Sequence, residues 1–110
     1  MSNLPMFSFN NHNISSGDMS GNLTSDVIDI SEVTGFCVHS VWSGSPVGNL
    51  ITEASNDGSN FSTIDTQATG GAAGQHLINV EKAHYRYIRV RFSRTSGSGT
   101  LDVYISGKRV

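Results

Sequence analysis

The stretch that decides the fold runs His84-Tyr-Arg-Tyr-Ile-Arg-Val-Arg-Phe-Ser-Arg94, then Thr95-Ser-Gly-Ser98, then Gly99-Thr-Leu-Asp-Val-Tyr-Ile-Ser106. Its first arm alternates with period two, which puts Ile88, Val90 and Phe92 on one side and Tyr85, Tyr87, Arg89 and Arg91 on the other. The second arm sets Leu101, Val103 and Ile105 on one side. Read as a β-hairpin with residues 95–98 as its loop, the stretch pairs Phe92 with Leu101, Val90 with Val103 and Ile88 with Ile105. That register predicts Arg91 opposite Asp102 and Arg89 opposite Tyr104. One face is then core and the other a Tyr/Arg/Asp surface.

Working outward, residues 25–30 and 35–42 read as strands, the second with Phe36, Val38 and Trp42 toward the core. Residues 43–48 form a turn cluster. Residues 49–55 and 61–66 read as strands joined by Asn56-Asp-Gly-Ser-Asn60, and residues 75–80 as a further strand with Leu77 and Asn79 on one face. The segment Gln67-Ala-Thr-Gly-Gly-Ala-Ala-Gly74 offers almost no side chain to pack and reads as a mobile surface loop. Residues 1–24 read as a polar, irregular N-terminal arm anchored by Met6, Phe7 and Phe9, either packed on its own domain or reaching over a neighbouring subunit. The expectation is an all-β chain: a single antiparallel β-sandwich of the jelly-roll or discoidin-like kind, with about seven to eight strands over residues 25–110.

Composition agrees with one β-rich domain. The chain has 110 residues, 12 of them Gly, and only 15% are charged, for a net charge of −2. That balance supplies no general attraction to nucleic acid or to an anionic membrane surface, so neither is expected as a partner. No run of about 18 apolar residues is present, nor a charged and then apolar N-terminus, so neither a membrane span nor a secretory leader is expected. Cys37 stands alone, which suits a reducing cytoplasm and reads as a small buried residue in a strand.

No catalytic pattern emerges. Cys37, His39 and several Asp supply the loose inventory of a hydrolytic triad without a nucleophile elbow, and Ser43-Gly-Ser45 is turn chemistry. His12, His39, His76 and His84 are too widely spaced for a local zinc motif. Asn56-Asp-Gly-Ser-Asn60 reads as a turn rather than a calcium loop. The expectation is a non-enzymatic chain with no metal and no cofactor. The candidate partner-binding residues are Met6, Phe7 and Phe9 in the arm and Tyr85, Tyr87, Arg89, Arg91 and Tyr104 on the Tyr/Arg surface, residue types enriched at interfaces.

Two stretches carry a resemblance. Gly48-Asn-Leu-Ile-Thr-Glu-Ala-Ser-Asn-Asp-Gly-Ser-Asn-Phe61, with Tyr87-Ile-Arg-Val-Arg91 and Gly99-Thr-Leu-Asp-Val-Tyr-Ile-Ser-Gly107, resembles the later half of discoidin-like, galactose-binding-like sandwiches. Together with Val27-Ile-Asp-Ile30 and Val41-Trp-Ser-Gly44, the pattern is similar to small virion structural proteins of bacteriophages. This resemblance implies a virion component assembled in the host cytoplasm, such as a capsid decoration, cement or vertex protein. It would act as a homo-oligomer on other virion proteins, the major capsid or tail proteins. The alternative it implies is a carbohydrate-binding module for a glycan, with a rim formed by the loops after Trp42, near Asp57 and at residues 70–74.

Overall fold

The computed structural model describes residues 8–108. Its strands in chain order are β1 (Ser8–Asp18), β2 (Leu23–Thr24), β3 (Ile28–Asp29), β4 (Gly35–Gly44), β5 (Val47–Ser55), β6 (Ser62–Ala68), β7 (Gly74–Val80), β8 (Tyr87–Ser96) and β9 (Gly99–Lys108). Pairing is antiparallel throughout: β5 with β6, β4 with β7, β2 and β3 with β8, and β1 with β9. The chain is thus one long ribbon folded back at the β5–β6 turn. Rolling that ribbon brings β5 against β8 and β4 against β9. Two sheets result, β1-β9-β4-β7 and β2-β8-β5-β6, with β3 also on β8. This is the winding of a jelly roll, and the expected antiparallel sandwich is what the chain forms.

The terminal hairpin, however, does not form. β8 pairs with β5 and β9 pairs with β4, in different sheets, so the two arms face each other across the interior rather than sharing a ladder. Ile88, Val90 and Phe92 remain on one buried row and Leu101, Val103 and Ile105 on another, each 1% exposed or less. A hairpin and an arch between sheets bury the same alternate residues, so alternation alone does not separate them. What separates them is the connection. Gly97 has φ +76°, and a Cβ there would collide with the Ser45 carbonyl oxygen, so the chain turns over the β4–β5 corner with no room for a side chain. The predicted Arg91–Asp102 and Arg89–Tyr104 pairs are therefore absent: Arg91 lies opposite Ile51 and Arg89 opposite Glu53.

Three local expectations also change. Within residues 1–24, Ser8–Asp18 forms β1 on the edge of the first sheet, its alternation broken by two register shifts around Ile14. Residues 25–30 keep only Ile28–Asp29 as strand, because the Ser25 hydroxyl accepts the Val90 N–H at 2.9 Å and a side chain replaces the ladder there. Residues 67–74 are tied down. Gln67 and Ala68 belong to β6, Thr69 Oγ1 donates to the Pro46 carbonyl at 2.8 Å, Gly71 N–H donates to the same oxygen at 2.9 Å, and the Trp42 indole donates to the Ala72 carbonyl at 2.8 Å.

The core lies between the sheets. Phe36, Val38, Trp42, Leu101, Val103, Ile105 and Ile14 meet Leu50, Ala54, Ile88, Val90 and Phe92. Full burial of one such large aliphatic or aromatic side chain is worth about 1.5–3 kcal/mol, so this row, not any surface pair, sets the register. On the outer face of the second sheet, Glu53 is locked between two cations. Its Oε1 accepts from Arg89 Nε at 2.8 Å and Arg91 Nε at 3.0 Å, and its side chain is only 8% exposed. The Arg89 guanidinium lies 4.0 Å from the centre of the Phe61 ring. Burial pushes the Glu53 carboxyl up, and the hydrogen bonds and charges of Arg91 and Arg89 outweigh it, leaving the group below its ordinary 4.5.

Two measurements check this arrangement. Val90→Asp places an unpaired charge at a 1% exposed site, and the variant should give no cooperative melt; an unshifted transition would contradict the buried row. A double-mutant cycle between Glu53→Gln and Arg91→Ala should return a coupling of about 0.5–3 kcal/mol, while Arg91→Ala with Asp102→Asn should be additive. Because the Glu53 pKa is lowered on folding, its contribution is present above the unfolded value and lost as pH falls through the folded one. Glu53→Gln should therefore flatten the acid side of a melting-temperature profile, and an equally steep acid limb in the variant would contradict the lock.

Candidate functional site

The outer face of β1-β9-β4-β7 carries the exposed large side chains of this sheet. Alternation along each strand sends Leu101, Val103 and Ile105 inward, and Asp102, Tyr104 and Ser106 outward. On β4 it sends Phe36, Val38 and Trp42 inward, and Cys37, His39 and Val41 outward. The registers then align one row straight across the sheet: His12 opposite Tyr104, Tyr104 opposite His39, and His39 opposite Leu77. Tyr104 is 45% exposed and Leu77 59%. An aromatic and aliphatic stripe thus lies open on a pleated surface.

The stripe is held by its neighbours. The His12 ring stacks on Tyr104 with centroids 4.4 Å apart and planes 14° apart. His12 donates from Nε2 to Asp102 Oδ1 at 3.0 Å, and the Ser16 N–H donates to the same oxygen at 2.9 Å. The Ser16 amide first, and His12 with it, holds the Asp102 carboxyl below the usual carboxylate range. Nε2 of His39 meets Gln75 Oε1 at 2.8 Å. Beside the row, Asn10, Asn11 and Ser106 edge a hollow of about 440 Å³ floored by Cys37, His39 and Ile105. Cys37 is half-buried on this outer face rather than fully inside, and burial pushes its thiol up, partly opposed by Ser106. Such a surface can stack a flat partner on Tyr104 and offer amide and hydroxyl groups around it.

The predicted contact residues are divided between the two sheets. Met6 and Phe7 lie outside the described residues. Phe9 is half-buried, opposite Gly107, and packs on the core. Tyr85 packs edge-on against Phe36, centroids 6.1 Å apart, and burial pushes its hydroxyl up. Tyr87 is half-buried beneath the Arg86 guanidinium at 5.2 Å. Arg89 and Arg91 each donate through Nε to the same Glu53 oxygen and stay partly exposed. Tyr104 stands apart from all of these, on the opposite sheet, with His12, His39 and Leu77, which the sequence reading did not select. Alternation marks the odd positions of β4 and β7, and residue type marks Tyr104; that they lie side by side is not visible from a hairpin register, which sets β9 beside β8 instead of β4.

The loops proposed as one glycan rim do not share an end. The turn after Trp42 and residues 70–74 meet at the start of β5, while the Asp57 turn closes its far end. Asp57 serves that turn: Oδ1 accepts from the amides of Ser59 and Asn60, each at 2.8 Å, and Oδ2 from Asn60 Nδ2 at 2.7 Å. Those bonds, the Asn60 amide foremost, hold its carboxyl well below the usual range. Among the described residues no three His, Cys, Asp or Glu side chains gather as metal ligands do.

No family model matches the sequence, and no curated protein matches it. Solved structures do match the fold. The SPBc2 prophage-derived protein YomS aligns over 97% of this chain and 99% of its own with a TM-score of 0.66 at 7% identity. The infectious bursal disease virus VP2 subviral particle aligns over 94% of this chain but 32% of its own, TM-score 0.55, 14% identity. CBM29_1, a family 29 carbohydrate-binding module from Piromyces equi, aligns over 89% and 90%, TM-score 0.53, 9% identity. At these identities the likeness is one of fold.

Proposed function

We propose that this chain is a non-enzymatic structural component of a phage-type virion, a decoration, cement or vertex protein that works through protein contacts with major capsid or tail proteins. The observation that carries the reading is the open stripe of Tyr104 and Leu77 on a four-stranded face, with Val41 beside it, each a large side chain exposed to solvent. Apolar and aromatic groups displayed together on a soluble domain mark contact surfaces. Support also comes from the end-to-end likeness to a prophage-derived protein and the likeness to a viral particle protein. Tyr104 is the anchor in this reading, and the Tyr87, Arg89, Arg91 surface is structural.

A second reading, a carbohydrate-binding module, draws on one feature. The stacked Tyr104–His12 pair beside Asn10, Asn11 and Ser106 makes a ring platform with hydrogen-bonding groups at its edge, which suits the apolar face of a sugar. Trp42 is buried and would not report such binding; Tyr104 would.

The test is whether the chain travels with particles. Phage particles from the strain that encodes it, purified on a density gradient, should contain it, and Tyr104→Ala should melt with the wild type while its retention on particles falls roughly tenfold or more. A chain abundant in the lysate and missing from the particles would contradict the proposal. Tyrosine quenching by members of an oligosaccharide panel, lost in Tyr104→Ala, would move the assignment to the second reading.

A further inference from the structure

The sheet edges are not alike. β1 is blunted by two register shifts and by Ser16 in the left-handed region at φ +51°. β6 is broken by a shift between its partners Thr52 and Glu53, and β2 and β3 are two residues each. β7 has none of these defences. Its register with β4 runs unbroken from Phe36↔Val80 to Trp42↔Gly74, its other side is unpaired among the described residues, and Gly74-Gln-His-Leu-Ile-Asn-Val80 contains no Asp, Glu, Lys, Arg or Pro, its His76 meeting Asp65 of β6 at 2.9 Å.

The direction of its free backbone groups follows from the ladder. The Ser45 N–H donates to the Ser98 carbonyl at 2.9 Å, in line with the β4–β9 register, so the odd residues of β4 spend their N–H and C=O on β9. His39 is therefore bonded to Tyr104. Leu77, opposite His39, turns its N–H and C=O away from β4, as do Gln75 and Asn79.

We infer that β7 is the site at which a second copy of this chain adds edge to edge, antiparallel, about a twofold axis through Leu77. The occupant is identified by the strand's self-complementarity. With Leu77 facing Leu77, Gln75 of each copy faces Asn79 of the other, His76 faces Ile78, and the outward N–H and C=O groups meet in hydrogen-bonded pairs. Beyond the strand Glu81 falls opposite Ala73 and Lys82 opposite Ala72, so no like charges meet. The pairing covers Leu77, the most exposed of the large apolar side chains among the described residues at 59%, and joins two sheets into one that carries both Tyr104 stripes. The proposal rests on the particle-component reading for its purpose and on β7 alone for its geometry.

Light scattering across a concentration series should give a dimer for the wild type. Leu77→Pro removes an N–H that β4 does not use, so it should melt near the wild type and scatter as a monomer. In a Cys37→Ser background, Leu77→Cys should cross-link efficiently on mild oxidation, because facing residues of a hydrogen-bonded pair lie about 5.5 Å apart. Gln75→Cys, which faces Asn79, should not. A wild type that stays monomeric while Leu77→Cys fails to cross-link overturns the inference. An oligomer that survives Leu77→Pro, or cross-linking of Gln75→Cys as efficient as that of Leu77→Cys, overturns it too and leaves the particle reading standing, since that reading fails only if particles lack the chain. Should Leu77→Pro not fold, the two cysteine variants decide.

Discussion

The packing of one apolar row on another across the interior is the constraint from which the rest follows. Ile88, Val90 and Phe92 on β8 and Leu101, Val103 and Ile105 on β9 are consecutive in the chain yet belong to different sheets. Each row needs a cover, and with only Gly97 and Ser98 between the strands the chain places one row over the other through an arch. Once that arch is made, β8 and β9 each need a new neighbour for their backbone groups. The earlier half of the ribbon supplies β5 for one and β4 for the other.

Two unlike surfaces are the outcome. Where β8 meets β5, the outward side chains include Arg89 and Arg91 on one strand and Glu53 on the other; one carboxylate holds both cations by Nε, with Arg89 over the Phe61 ring, and the trio keeps a net charge of about +1. Those three side chains are ordered chiefly by one another. Where β9 meets β4 and β1, the outward side chains are Tyr104, His39 and His12, and β7 adds Leu77. Stacking and one carboxylate hold that row in place without covering it, so it stays available for contact.

Much of the fold was legible because a half-buried strand writes its burial into its sequence. The inward residues of β4, β8 and β9 and the outward Leu77 and Asn79 of β7 follow from alternation alone. Pairing was not legible, since Val90 and Val103 are both buried in the same core whether their strands sit in one ladder or in two stacked ones. β1 was hidden for another reason: two bulges around Ile14 break its period, and the strand is an edge with few apolar residues. The site suffered from both. Residue type marks Tyr104, and a hairpin register sets it beside Arg89; its neighbours in the structure come from β1, whose period is broken, and from β4, whose partner alternation does not name.

The account stands on β9 lying beside β4 and across the core from β8, and nuclear Overhauser contacts between α-protons test that most directly. Residues of an antiparallel pair without mutual hydrogen bonds bring their α-protons together. The account predicts α-proton contacts for Val38 with Ile105 and for Ser40 with Val103. Such a contact between Val90 and Val103, with none from β9 to β4, would restore the hairpin and dissolve the Tyr104 stripe.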